Sequence, residues 1–357
     1  MKICLVNTTP FWGGGEKWFY QNAIFLTNSG YDVFVLAHKD GKLWEKLSGH
    51  DSLSLNHLEV GNLSFLNPKK KWALRSFFAR NEISTVILNG SPEVKLCAPA
   101  AKKAAVKNIV YRRGSAIPVK GSAINKSLYG NVITHVIANS QATKETFLRH
   151  LSDVVAAKKI QVIPNGIPLP ELITTGANSI FTIGTLGRLV HQKGFDLAIL
   201  SARKIKEEGV QFKWLIAGRG DDQEKLSALV KENDLSNDVE FLGEVADVSG
   251  FFSSIDLYVH SARWEGFGFA IAEAMAYQKA IVAFDVSSNP ELIENGRTGV
   301  LVEMGDTEAL ANQIISLSKH DDKRNELGLA ARKFIEENFT IEKQQQKLLA
   351  FLRSLAQ

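Results

Sequence analysis

Several protein classes are excluded by what this chain lacks. Only two cysteines, Cys4 and Cys97, occur among 357 residues. That is too few for a disulfide framework or a cysteine-built zinc site, and it fits a reducing cytosol. No apolar run is long enough for a membrane span: the uncharged stretch 127–143 is broken by Asn131, Thr134, His135, Asn139 and Ser140. At the N-terminus the apolar residues 3–6 give way at once to Asn7, Thr8, Thr9 and Pro10, too short for a signal-peptide core. The expected location is therefore cytoplasmic, with any membrane contact peripheral, at the cytoplasmic face of the inner membrane. There is no Walker A loop, H-E-x-x-H, C-x-x-C or G-x-S-x-G sequence.

The chain has the composition of an ordinary globular protein, 45% hydrophobic and 22% charged. At about 150 residues per domain its length suggests two domains. The net charge of +4 is unevenly spread: residues 1–170 hold 22 Lys and Arg against 10 Asp and Glu, and the rest holds 20 against 28. A basic half attracts an anionic partner, with nucleic acid, an anionic membrane surface or an acidic substrate as candidates.

Short apolar stretches alternate with amphipathic helical patterns, the mark of parallel α/β layers. Strands are predicted at residues 2–7, 31–37, 85–89, 109–111, 135–138 and 161–163, then at 180–186, 213–217, 239–242, 257–260, 281–283 and 300–301. Pro164-Asn165-Gly166, Pro168 and Pro170 mark a linker between halves. The expected plan is two Rossmann-like domains facing a cleft, residues 1–166 and 179–340. Residues 167–178 form the linker, and an amphipathic final helix over 341–357 completes the first domain.

The densest chemical information lies at Ser261-Ala262-Arg263-Trp264-Glu265-Gly266-Phe267-Gly268-Phe269, running on to Glu273. Gly266 and Gly268 open a helical pattern, and bare amides at a helix start form an anion site without side chains. If one helix carried Glu265 and Glu273, they would lie about 12 Å apart within roughly 80° of azimuth. Two carboxylates so placed would grip hydroxyl-bearing groups on either side of an anion, the form of a nucleotide sugar. A capped core helix with two solvated glutamates is the plain alternative. A second cluster, Gly187-Arg188-Leu189-Val190-His191-Gln192-Lys193-Gly194, follows the first strand of the second half. Gly187 lets backbone approach a ligand closely, and Arg188 and Lys193 are suited to neutralising a departing diphosphate; a solvated loop with two surface cations is the alternative. No two aspartates stand two apart, so the D-x-D pair that holds a metal on many sugar nucleotides is missing, and metal-dependent catalysis is disfavoured.

Taken together these residues resemble the retaining glycosyltransferases of the GT-B fold, the large nucleotide-sugar-dependent family four. The resemblance rests on Glu265-x(7)-Glu273, Gly187-Arg188-Leu189 with Lys193-Gly194, Gly218-Arg219-Gly220, Phe241-Leu242-Gly243, Pro290-Glu291-Leu292-Ile293, Thr298-Gly299 and Pro164-Asn165-Gly166, in that family's order. The glycine loop Gly13-Gly14-Gly15 before Glu16 matches as well. It implies a donor domain in the second half, with Glu273 on the ribose hydroxyls and Glu265 near those of the sugar. Amides of Gly266, Phe267 and Gly268, with Arg188 and Lys193, would hold the diphosphate; Gly187 and Gly218 would line the donor. Backbone at Phe241, Leu242 and Gly243 would meet the base, and Gly13, Gly14 and Gly15 would close over the phosphates from the first domain. The resemblance implies a UDP- or GDP-linked donor, no cofactor, a glycan or glycolipid acceptor of the bacterial envelope, and retention of configuration.

Two departures stand out. Where many relatives carry a histidine in the first domain, this chain has Val110-Tyr111-Arg112-Arg113-Gly114. Arg113, with Arg112, is the candidate for binding an acidic acceptor or the donor phosphates, and a surface arginine pair is the alternative. Ser287-Ser288-Asn289 replaces the glycine pair common before the Pro-Glu motif. Asn165 and Ser140 are expected to serve a turn and a helix cap, and His38, His191 and His260 to be structural or solvated. Lys69-Lys70-Lys71 beside Trp72 suits either a solvated face or docking on an anionic leaflet. The rival readings are a sugar-nucleotide epimerase of the same fold, a silent glycosyltransferase-like binding subunit, a nucleic-acid-binding module without a recognisable reading element, and an NAD oxidoreductase. The last is weak because Gly13-x-Gly15-x-x-Trp18 lacks the third glycine of that fingerprint.

Overall fold

The computed structural model describes residues 1–172 and 178–356. Residues 173–177, part of the expected linker, lie outside them. The chain forms two compact units, one of Met1–Gly166 with Glu342–Gln357, the other of Ile167–Ile341.

The first unit is built on seven parallel strands: β1 (Lys2–Asn7), β2 (Asp32–Ala37), β3 (Ser54–His57), β4 (Thr85–Leu88), β5 (Asn108–Arg113), β6 (His135–Ala138) and β7 (Ile160–Val162). Their order is β3-β2-β1-β4-β5-β6-β7. The second unit carries β8 (Phe181–Leu186), β9 (Phe212–Ala217), β10 (Val239–Gly243), β11 (Leu257–His260), β12 (Ala280–Phe284) and β13 (Val300–Val302). All are parallel, in the order β10-β9-β8-β11-β12-β13. Parallel strands covered by helices on both faces are buried throughout and mostly apolar, as in Thr85–Leu88 and Ala280–Phe284, where every residue is buried. β3 breaks that rule, which is why the periodicity did not expose it. It is an edge strand, Ser-Leu-Asn-His, with one apolar residue and no fully buried one.

Chain order reverses between β1 and β4 in the first unit and between β8 and β11 in the second. At such a point the loops leaving neighbouring strands diverge, and the crevice outside the strands' carboxyl ends becomes the natural ligand position.

The helix Ile341–Ala356 follows the second unit in sequence and belongs to the first. It buries Leu348, Leu349, Leu352 and Leu355 with Ile3, Leu5, Trp18 and Phe19, and Asn108 Nδ2 donates to the Leu355 carbonyl at 3.4 Å. Because Leu352 is fully buried, Leu352→Ala is expected to cost about 2–5 kcal/mol in urea denaturation. The same change at exposed Leu329 is expected to stay within about 0.5 kcal/mol.

Candidate functional site

In the second unit, the loops leaving β8 and β11 are bound to each other at the switch point. β8 ends at Leu186, and the Gly187 amide donates to the Ala217 carbonyl at the end of β9 (2.9 Å). The Gly218 amide donates in turn to Gly243 at the end of β10 (2.7 Å). Gly218 has φ +136°, and a Cβ there would fall 1.8 Å from the Gly187 oxygen. Three neighbouring strand ends therefore meet backbone to backbone, which only glycine permits. Past Gly187 the aliphatic stem of Lys193 crosses at van der Waals distance, 3.5 Å from where a Cβ would stand.

Lys193 closes a short 3₁₀ turn over residues 191–193, and Gly194 then enters the left-handed region (φ +62°) to start the helix Phe195–Glu207. A Cβ on Gly194 would sit 2.0 Å from the Ser261 carbonyl, so this loop lies directly on the one after β11. The two are stitched by several hydrogen bonds. Ser261 Oγ donates to Lys193 O (3.1 Å), the Arg263 amide to Gln192 O (2.8 Å), and Gln192 Nε2 to Trp264 O (3.0 Å). Arg263 adds a bidentate pair to Asp196 at 2.8 and 2.7 Å.

Within this frame Glu265 is buried, and its Oε1 receives two donors. Lys193 Nζ forms an ion pair with it, and His260 Nε2 lies 3.1 Å away. The helix Phe269–Ala276 begins only after Gly268, which caps it at φ +85°. Glu265 thus precedes that helix by four residues, and the rise and azimuth expected for two glutamates on one helix do not apply. Glu273 lies on the helix and is half-buried. The solvated-glutamate alternative fails for Glu265.

The model for "Glycosyl transferases group 1" matches residues 177–334, and that for "Glycosyltransferase Family 4" matches 12–170. Between them they span most of the chain. The chain belongs to these glycosyltransferases. A lipopolysaccharide core biosynthesis mannosyltransferase, LpcC of Rhizobium leguminosarum, is 31% identical over 59% of this chain and 60% of its own length. The chain thus spans about three-fifths of that relative. An uncharacterized glycosyltransferase of Haemophilus influenzae is 28% identical over 93% of this chain and 94% of its own. Among solved structures, Anabaena Alr3699/HepE in complex with UDP and glucose superimposes with a TM-score of 0.85. It covers 99% of this chain and 100% of its own at 23% identity, a likeness of fold. The fold is GT-B.

The other expected donor-side residues are spread along the same sheet end. Arg188 is exposed, next to Gly187. Gly243 ends β10 at φ +69°, with Leu242 exposed and Phe241 packed partly on the core. Phe267 points into an apolar cluster, which leaves its backbone rather than its ring for a ligand. His260, expected to be structural or solvated, is buried on Glu265. Its one sequence signal is a polar residue closing an inner strand five positions before the motif glutamate.

In the first unit only Gly13 precedes the helix Gly14–Asn28; Gly14 and Gly15 already form its first turn, so the loop is shorter than expected. Arg112 and Arg113 are both buried, which removes the surface-pair alternative. Arg112 donates to Asn165 Oδ1 (2.7 Å) and Asn89 Oδ1 (3.4 Å) and lies 5.3 Å over the Trp18 ring. Burial lowers its guanidinium to about 10, opposed by the charge of Glu16. Arg113 donates to the Tyr111 hydroxyl (3.0 Å) and to the Ile117 carbonyl. Asn165, expected to serve only a turn, is a buried partner of Arg112.

Burial alone would raise the Glu265 carboxyl. The Lys193 charge and the His260 contact outweigh it and hold the group at about 2, against an ordinary 4.5. A carboxyl depressed on folding adds stability that is complete above about pH 4.5 and fades as the pH falls toward 2. Lys193→Met leaves a buried carboxylate with one partner, an expected loss of about 3–5 kcal/mol at pH 7. Without Lys193 the carboxyl is no longer held down against its burial, so the loss should be largest near pH 7 and shrink as the pH falls and Glu265 protonates. Urea midpoints between pH 3 and 7 test this, and identical pH profiles would contradict it.

Proposed function

We propose that this chain is a retaining, metal-independent glycosyltransferase that moves a sugar from a UDP- or GDP-linked donor to a glycan or glycolipid acceptor in bacterial envelope polysaccharide synthesis. The observation that carries it is Glu265, a carboxylate kept ionised below the protein surface at the switch point, beside a glycine-opened helix start. Relatives support the pathway class, among them the Rhizobium enzyme named as a lipopolysaccharide core mannosyltransferase. The Anabaena structure with UDP and glucose supports the donor class.

As the glycosidic bond breaks, negative charge grows on the leaving diphosphate. The amides of Gly266, Phe267 and Gly268 stabilise that charge from fixed positions, and the side chains of Arg188 and Lys193 add positive charge to it. The Lys193–Glu265 pair is neutral before the donor arrives. Once the donor is seated, Lys193 turns its charge to phosphate while Glu265 accepts from a sugar hydroxyl and Glu273 from the ribose. Thermal shifts with UDP-glucose and GDP-mannose are expected to show one base preferred, stabilising by RT ln(1 + [L]/Kd). Glu265→Gln is expected to keep that shift and lose about 10²- to 10³-fold in turnover, whereas Glu273→Ala loses the shift. No shift with any nucleotide would favour a silent binding subunit, and a fully active Glu265→Gln would remove Glu265 from the reaction.

The acceptor side is the first unit, and its charge is concentrated. Residues 60–160 hold 17 Lys and Arg against four Asp and Glu, while residues 1–59 hold five against six. The helices Pro68–Arg80, Ser91–Lys103 and Ala123–Asn131 from this segment cover one face of the sheet. Trp72 (70% exposed), Leu63 (71%), Leu66, Ile117 and Ile124 stand out among Lys69, Lys71 and Lys120. Cations interleaved with exposed apolar side chains suit an anionic bilayer, at about 1 kcal/mol per cation near the surface. Vesicles containing anionic lipid should bind the chain in a salt-sensitive way and Trp72→Ser more weakly; equal binding to neutral vesicles would argue against it.

A further inference from the structure

The contacts around Glu265 are asymmetric. Both Lys193 and His260 reach Oε1, and among the described residues Oε2 accepts no hydrogen bond. A carboxylate held by one oxygen has its plane and its second oxygen aimed, which is what recognition of a single hydroxyl requires. Lys193 supplies charge through a long stem, which swings readily. His260 is different in kind: it is the last residue of β11, on the sheet itself, and its side chain is 3% exposed. Its ring stacks on Tyr258 at 6.1 Å and 30°, and Nδ1 lies 3.4 Å from the Tyr258 hydroxyl, which is itself 3.3 Å from the Leu186 carbonyl at the end of β8. The imidazole is therefore clamped between the two central strands, with one nitrogen pointing at Glu265.

We infer that His260 is a positioning residue, the rigid Nε2–H donor that fixes the Glu265 carboxylate with Oε2 turned to the sugar. This rests on Glu265 acting on the sugar as proposed above. An ionised carboxylate accepts, so Nε2 carries the proton and Nδ1 faces the tyrosine hydroxyl. The ring is neutral near pH 7, because burial and the Lys193 charge disfavour its cation more than Glu265 favours it. The charged and titratable groups facing this cluster are Glu265, Lys193, Tyr258 and Glu273. A neutral donor suits the role better than a second cation, since it holds the carboxylate without cancelling the negative charge a hydroxyl must feel. When donor phosphates draw Lys193 away, His260 is the contact that remains.

Three variants of the full chain test this. His260→Phe keeps the ring volume and removes the donor; His260→Gln returns an N–H near the Nε2 position; Glu265→Gln removes the ionised carboxylate. Turnover is read as nucleoside diphosphate release from UDP-glucose and GDP-mannose. His260→Phe is expected to lower kcat about 10²-fold with the thermal shift by UDP or GDP unchanged, and His260→Gln to recover most of it. If Glu265→Gln is inactive while His260→Phe is fully active, positioning fails alone; if Glu265→Gln is fully active, the reading of Glu265 fails and His260 with it. A His260→Phe loss that Gln does not rescue marks packing and overturns the role. Independently of turnover, ¹⁵N spectra at pH 7, with His260 assigned by its loss in His260→Phe, should show Nε2 protonated and Nδ1 bare. The opposite tautomer, or a ring already cationic, overturns the inference.

Discussion

The contact among Lys193, Glu265 and His260 is the constraint around which the second unit is arranged. A buried carboxylate is costly in a low-dielectric interior unless a cation and a hydrogen bond stabilise it where it stands. Both partners must therefore be delivered to one oxygen, from loops 72 residues apart in the case of Lys193. Much of the local sequence serves that delivery. Gly187 leaves room for the lysine stem; Gly194 allows the turn that brings Lys193 back over the Ser261 carbonyl; Gly218 lets the neighbouring strand end fold against Gly187. Arg263 and Gln192 then tie the loops together. The ion pair and the backbone stitching depend on each other, since neither loop alone presents a closed set of partners.

The first unit solves a related problem by other means. Arg112 is buried at the carboxyl end of β5 and is held by Asn89, Asn165 and the Trp18 ring, with Glu16 supplying the opposing charge. The adjacent Arg113 points to Tyr111 and Ile117. Two consecutive strand residues face opposite sides of a sheet, so a pair that is contiguous in sequence serves two separate networks. The unit's free positive charge lies instead on the helices from residue 68 onward, where lysines stand exposed beside Trp72. Cationic groups in this unit thus divide into buried, hydrogen-bonded ones and exposed ones.

The parallel strands were legible because burial on both faces turns them into apolar runs, and the β3 edge was not because only Leu55 needs burial. The motif glutamates were legible as a pair at fixed spacing. Their geometry was not: spacing of eight suggested one helix, while Gly268 delays the helix and leaves Glu265 in the loop. The two arginines read as anion binders or, alternatively, as a surface pair, since Arg is usually solvated; their burial was not legible, because the Arg112 partners Asn165 and Trp18 are remote in sequence. His260 was invisible as a site residue for a similar reason. A lone histidine has no informative spacing, and Lys193, which shares the Glu265 oxygen with it, comes from a different strand's loop.

What the sequence determines alone is therefore what depends on local pattern: two α/β layers, a glycine-opened helix start, a glutamate pair and an uneven charge. These follow from periodicity and residue type over short windows. Tertiary structure alone decides which groups share an atom. That Lys193 and His260 meet on one oxygen of Glu265 depends on β8 and β11 being neighbours in the sheet, although more than 70 residues separate their first residues in the chain. Their adjacency comes from the reversal of strand order, a choice made by the packing of the whole sheet, and only that packing converts three scattered residues into one site.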